Sequence, residues 1–347
     1  MSTRPTRLAG VPAAARAQVA LPRTRLFGAA LLALSLTAAA MATSTAYAQS
    51  YPNRPVRVVI PFAPGGSNDI VGRFISDELG KKLGQTFVVD NRGGAGGTIG
   101  TDLVAKAPAD GYTLLLISTP HTANSTLYKK LPYRPAQDFT PIGRIATASQ
   151  VISVFPGLPT KTLPELIAYA KANPGKLNYV SSGIGSSQHL VSEMFANQAG
   201  IQMTHVPYKG AGAALADVSA GHAQVSVGTV LQALPHIKGD RLRALAVSGA
   251  NRQAVLPDVP TAAESGLKGF EPDNWWGLLA PAGTPPEVIN TLTRTMGEIL
   301  ARPDTIKKLE SESATVAYQP PADFSKFMDS ETTKWAALIR KLNIQAD

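Results

Sequence analysis

Val58-Val59-Ile60-Pro61-Phe62-Ala63-Pro64-Gly65-Gly66-Ser67-Asn68-Asp69 reads as a buried strand, a Pro/Gly loop and the first turn of a helix. Its opening residues are continuously apolar, as a strand covered on both faces should be. From 69 to 83, Ile70, Val71, Phe74, Ile75 and Leu79 keep one helical face apolar. A helix start carries N–H groups without intrahelical partners and the positive end of the macrodipole. Glycines let a ligand approach the backbone, so such a loop can cradle an anion. An ordinary helix capped by Ser67 or Asp69 fits the same residues.

The same succession recurs where Leu177-Asn178-Tyr179-Val180 leads into Ser181-Ser182-Gly183-Ile184-Gly185-Ser186-Ser187-Gln188-His189 and another helix. Two cradles in facing halves could clamp one small carboxylate. Neither carries the P-loop lysine or completes G-x-G-x-x-G, which argues against a nucleotide. A third glycine run, Asn91-Arg92-Gly93-Gly94-Ala95-Gly96-Gly97-Thr98-Ile99-Gly100, fails the dinucleotide spacing at Ile99. It fits either close helix packing or a place in the cleft.

Strands are expected over 56–60, 87–90, 113–117, 150–154, 177–180, 224–227, 242–247 and 277–280. They alternate with helical patterns over 69–83, 164–172, 189–199, 286–301 and 321–342, which is the α/β signature. The last helix places Phe324, Phe327, Met328, Trp335 and Leu338 in the core. A long extended run over 144–154 and the stretch 270–276 mark two candidate crossings between lobes. The expected organisation is a leader over 1–48, a discontinuous first lobe (49–149 and 272–347) and a second lobe (150–271), with two hinge strands. Of the tryptophans at the second crossing, one should pack and one face the ligand; Trp275 is taken for the ligand side.

The 347 residues are 44% hydrophobic and 16% charged, a globular composition. No cysteine is present, which excludes disulfides, a thiol nucleophile and Cys-ligated metal sites. The net charge is +9, but Arg4, Arg7, Arg16, Arg23 and Arg25 lie in 1–48 without any acid, leaving 28 basic against 24 acidic residues. That remainder supports neither a nucleic-acid footprint nor a polybasic membrane surface. Arg23 and Arg25 precede an apolar run over 26–36 and Ala46-Tyr47-Ala48, the pattern of a signal peptide cleaved before Gln49. The run is short and too rich in small residues for a membrane anchor. In a Gram-negative cell the mature protein would be periplasmic.

Chemistry is weakly represented. His121, His189, His205, His222 and His236 show no compact metal spacing. Ser186 lies three residues before His189 without a G-x-S-x-G elbow, and Asp69 serves equally as a cap or a base. No metal and no cofactor is expected. An exported α/β hydrolase acting on a small carboxylate or ester is the alternative reading.

Several segments follow one another in a specific order: 61–69 with Arg73, 90–100, Ala109-Asp110-Gly111-Tyr112-Thr113-Leu114-Leu115, 179–190, Val206-Pro207-Tyr208-Lys209-Gly210, 242–248, Leu256-Pro257-Asp258-Val259-Pro260-Thr261 and 277–285. Over 51–344 the chain thereby resembles the Bug family, the periplasmic substrate-binding proteins of tripartite tricarboxylate transporters. The resemblance implies a two-lobed periplasmic-binding-protein fold of type II-like form, closing on one organic acid and delivering it to a membrane permease; a monomer is the default expectation.

Carried over residue by residue, the resemblance nominates Phe62, Ala63, Gly65, Gly66, Ser67 and Asp69 in the first loop. It adds Ser182, Gly183, Gly185, Ser186 and His189 in the second. Thr119, His121 and Asn124 match a cleft turn, and Tyr208, Lys209 and Gly210 a cleft wall. The chain departs from the family at Ser226-Val227-Gly228-Thr229-Val230, where many relatives carry Asp-Asn, and at Asn274-Trp275-Trp276. Both stretches are candidates for the cleft wall, so no relative's ligand can be borrowed. With no Arg or Lys in either cradle, neutral donors should hold the carboxylate. A dicarboxylate, tricarboxylate, amino acid or aromatic acid would fit.

Overall fold

Strands β1 (Val56–Ile60), β2 (Phe87–Asn91) and β3 (Thr113–Ser118) pair in parallel in the order β2-β1-β3. The computed structural model describes residues 51–346, and the expected signal peptide lies outside them. Parallel neighbours need long crossovers, supplied here by helices α1 (Ser67–Leu83) and α2 (Thr98–Ala105). α1 ends at Gly84, whose φ of 69° closes the helix in the left-handed conformation that glycine adopts without strain.

The chain continues through α3 (Pro120–Leu127), β4 (Phe139–Val154), α4 (Leu163–Ala172), β5 (Asn178–Ser181) and α5 (Ser187–Ala199). Next come β6 (Thr204–Pro207), α6 (Ala211–Ala220), β7 (Val225–Thr229), α7 (Val230–Lys238) and β8 (Arg243–Val247). Last are β9 (Asp273–Pro281), α8 (Pro286–Leu300), α9 (Pro303–Ser311), β10 (Thr315–Gln319) and α10 (Pro321–Leu342).

The sheet runs β2-β1-β3-β9-β4-β7-β5-β6, with β8 and β10 also paired to β4. Its organising strand is β4, 16 residues long. Through Ser149 it pairs antiparallel with β9, and from Gln150 onward with β7 and β8. Register shifts between Pro141 and Gly143 and between Arg144 and Ala146 interrupt its alternation. That is why the sequence reads only the later part as extended. The turn expected at 119–124 is instead mostly helix, with Pro120 in its first turn, where a missing N–H costs nothing.

One core cluster joins Val58, Ile75, Leu116, Trp276, Leu292 and Met296; a second joins Tyr179, Leu190, Phe195, Val227 and Phe270. Helix α10 serves more than one cluster. Phe324 packs on Trp275, while Trp335 and Ile339 enter the cluster of Leu190 and Phe195. Between them the buried Glu331 accepts the indole N–H of Trp275 at 3.2 Å and of Trp335 at 3.1 Å, and pairs with Lys334.

Candidate ligand cavity

The C-terminal ends of parallel strands are where open α/β sheets bind ligands, and both glycine loops lie there. The first leaves β1 and enters α1; the second leaves β5 and enters α5. Between them is a small cavity of about 30 Å³. Its walls are Phe62, Ala63, Gly66, Ser67 and Asn68 from the first loop and helix, and Ser182, Ser187 and Gln188 from the second. Gln150 on β4, Thr229 at the end of β7, Gln232 on α7, Asn274 on β9 and Ala211 complete it. Every lining residue is uncharged.

Close approach across the cavity depends on small residues. A Cβ at Gly210 would lie 2.7 Å from Ala63 Cβ, and one at Gly66 would lie 3.3 Å from Ala211 Cβ. The third glycine run does both things left open by its sequence. Gly100 lies against Pro61, where a Cβ would come within 2.9 Å of the Pro61 Cα, so α2 packs tightly. Gly96 faces the second loop, where a Cβ would lie 2.9 Å from the Ile184 carbonyl oxygen.

Polar groups at the cavity are mostly unspent. Gln150, Gln188 and Asn274 are buried, and both polar side-chain atoms of each glutamine and Asn274 Oδ1 have no partner within the protein. The same holds for Ser187 Oγ, Thr229 Oγ1 and Gln232 Nε2. Gln232 Oε1 accepts the Ser67 N–H at 3.4 Å, and Asn68 Oδ1 accepts the Trp276 indole N–H at 2.7 Å. Such groups are costly to bury unless something hydrogen-bonds them. Gly228 makes room for two of them, because a Cβ there would meet Gln232 Nε2 at 2.2 Å and Gln188 Nε2 at 3.0 Å.

Of the residues nominated from the sequence, Phe62, Ala63, Gly66, Ser67 and Ser182 line this cavity. Gly183, Tyr208 and Lys209 line a wider adjoining space of about 910 Å³, which also touches Phe62, Ala63 and Ser182. Gly210 sits behind the first loop as described, and the Tyr208 hydroxyl donates to Asp217.

Other nominees are placed as supports. Asp69 accepts from the Gly65 N–H, Arg73 and Asn91, whose amide also bonds the Phe62 carbonyl, so it fastens the first loop. Burial alone would raise its carboxyl pKa, but the bonds from Arg73, Gly65 and Asn91 outweigh this and hold it below the ordinary value. Ser186 is the N-cap of α5, its hydroxyl accepting the His189 N–H at 3.3 Å. His189 Nδ1 accepts the Gly185 N–H at 3.2 Å, and its ring stacks on His205 at 4.3 Å. Burial pushes the pKa of both imidazoles down to about 4, the neighbouring His189 adding to the effect on His205.

Four nominees lie elsewhere. Asn124 donates to the Gly96 carbonyl at 3.1 Å, and buried Thr119 precedes the same helix. His121 packs against Tyr133 and Phe139 and lines a separate cavity. Trp275 is enclosed by Phe324 and Phe327; Trp276 lies behind the cavity wall and donates its indole N–H to Asn68, which lines it. Sequence reasoning did not single out Asn68, Gln150, Ser187, Gln188 and Gln232 as ligand contacts. Gln150, opening the expected strand Gln150-Val151-Ile152-Ser153-Val154, was the available signal.

A profile of the tripartite tricarboxylate transporter family receptor matches residues 71–344. The chain belongs to this family. Among similar proteins, BugT of Bordetella pertussis is 36% identical over 296 residues, covering 85% of this chain and 91% of its own. A UPF0065 protein of Pseudomonas sp. strain P51 is 39% identical over 314 residues, covering 89% and 94%. Two solved receptors share the fold. Rpa4515 of R. palustris, solved with adipate, has a TM-score of 0.83 at 35% identity, covering 85% of this chain and 99% of its own. MatC of Rhodopseudomonas palustris, solved with bound malate, has a TM-score of 0.78 at 32% identity, covering 83% and 100%. This tripartite tricarboxylate transporter receptor therefore has the two-lobed α/β fold of the periplasmic binding proteins, the class that also includes BugD.

Proposed function

We propose that this receptor captures a small organic carboxylate in the periplasm and hands it to a membrane permease of the tripartite tricarboxylate type. The observation that carries the reading is the cavity between the glycine loops, where two helix N-termini and several unspent donors converge without a charged residue. First-turn N–H groups and the macrodipoles of α1 and α5 favour negative charge there. The hydroxyls of Ser187 and Thr229 and the amide of Gln188 are within the same walls. Adipate and malate in the two solved relatives support a carboxylate as cargo.

Capture would couple to closure. In this reading the lobes expected over 49–149 with 272–347 and over 150–271 would close on this cavity, and the change of β4 from pairing with β9 at Ser149 to pairing with β7 at Gln150 would supply the hinge. A ligand shifts such an equilibrium only by binding the closed form better, which donors supplied from both loops accomplish. No bond is made or broken in this reading, and no cofactor is consumed.

The test is a thermal-shift screen of the purified protein against small carboxylates, with their esters and amides as controls. Ligand at a hundred times its Kd should add about 2.7 kcal/mol. A shift for an acid and none for its ester is expected; equal shifts for both, or none for any acid, would overturn the carboxylate reading.

A further inference from the structure

We propose that the separate cavity lined by His121 is a second binding site, taking a small uncharged phenol whose ring lies against β9 and α10 and whose hydroxyl donates to His121 Nδ1. It shares no lining residue with the carboxylate cavity or the wider space beside it.

The cavity measures about 230 Å³, and an apolar cavity of about 150 Å³ already holds benzene. Phe139 and Pro141 of β4, Leu279 of β9 and Met328 of α10 form its apolar walls. Ala136, Gln137 and Asp329 line it as well and are exposed, so it opens to solvent. His121 stands in an aromatic setting, with the Tyr133 ring stacked at 6.3 Å and the Phe139 ring edge-on at 5.5 Å. Such surroundings suit a flat aromatic body.

The polar groups set the rest of the chemistry. His121 is only 6% exposed, and its Nδ1 has no partner within the protein. The imidazole donates to the Pro135 carbonyl. With Nδ1 unpartnered, that donor is Nε2, and Nδ1 keeps its lone pair as an acceptor. A buried acceptor left unpaired is costly. Burial holds the imidazole pKa down to about 4, so the ring is neutral near pH 7. The hydroxyls of Thr122, Ser125 and Thr332 donate to the carbonyls of Thr119, Thr122 and Met328, and so offer the cavity lone pairs rather than hydrogens. No Lys or Arg lines it, and the single carboxylate, Asp329, is exposed at the mouth. An anion would meet acceptors and a like charge. A cation would gain little from a carboxylate that stays in water. A neutral O–H on an apolar ring meets both the deep acceptor and the walls.

NMR titration of the isotope-labelled protein with phenol, toluene, benzoate and benzylammonium tests this, read at the amides of Thr122, Ser125 and Met328. Toluene is less hydrated than phenol, so a void without an acceptor would take toluene more tightly. Phenol is expected to bind at least as tightly as toluene, and the His121 Nδ1 resonance to move with phenol alone. Phenol binding more weakly than toluene, or leaving these signals in place, would overturn the proposal. Benzoate or benzylammonium binding as tightly as phenol would do the same, and so would phenol shifts centred on Ser182 and Gln232. His121→Phe should weaken phenol about tenfold while sparing toluene. Unchanged phenol affinity in that variant would remove Nδ1 from the site, and the comparison of phenol with toluene in the unaltered protein decides the matter even where the variant fails to fold.

Discussion

The Trp276 indole N–H donates to Asn68 Oδ1 at 2.7 Å across 208 residues of sequence. Since an indole nitrogen only donates, the bond fixes which end of the Asn68 carboxamide it meets, leaving the amide nitrogen to donate elsewhere. Strand β9 thereby orients a residue in the first turn of α1, and the first loop becomes a preset wall rather than an adaptable one.

Asn68→Asp tests that wall. The new carboxylate keeps an acceptor for Trp276 but adds a negative charge to an uncharged cavity. The Kd for an acid ligand should rise at least tenfold by calorimetry, with little change in Tm. Unchanged affinity would place the ligand away from the first turn of α1.

Gly228→Ala probes the space behind the two glutamines. The added Cβ would come within 2.2 Å of Gln232 Nε2 and 3.0 Å of Gln188 Nε2, so both amides must move. Gly228 lies in a strand and needs no special φ, so the fold should survive. Affinity should fall roughly tenfold, about 1.4 kcal/mol, and full affinity would show that these amides do not touch ligand.

Ser186→Ala is expected to act on stability. The hydroxyl caps α5 by accepting the His189 N–H, and losing such a cap costs about 1 kcal/mol. Chemical denaturation should show the loss with the m-value unchanged. A large drop in affinity without loss of stability would instead assign the hydroxyl to the ligand.

Acid should destabilise the protein through its buried imidazoles. His121, His189 and His205 are held down to about 4 by burial, against an ordinary value of 6.5. Between those values the unfolded chain binds protons that the folded chain refuses, so their full contribution is present above pH 6.5 and is lost as pH falls towards 4. Protonating His189 also removes the lone pair that accepts the Gly185 N–H, loosening the second loop. Tm should fall through this window, and His189→Gln should flatten the fall. An unaltered slope in that variant would mean that His189 is not among the responsible groups.

The apolar runs that became β1, β3, β5 and β7, and the Gly/Pro punctuation at their ends, are local properties of the chain. Local pattern was therefore enough to place both strand-to-helix loops, the helix starts and the family-specific order of segments. The same locality explains the gaps: bulges obscured the first part of β4, and β10 is a partly buried five-residue strand between two helices.

What the sequence by itself determined was where an anion could be cradled, because a helix start and its glycines are written in adjacent residues. Only the tertiary structure decided what completes the cavity, because Gln150, Gln232 and Asn274 come from strands and a helix distant in the chain. It also decided that Trp276 rather than Trp275 bonds Asn68 in the cavity wall. Neighbouring residues on a strand point to opposite faces, and both faces of β9 are buried, Trp275 against α10 and Trp276 in the cluster of Val58 and Leu116, so only packing determines which indole lies beside Asn68.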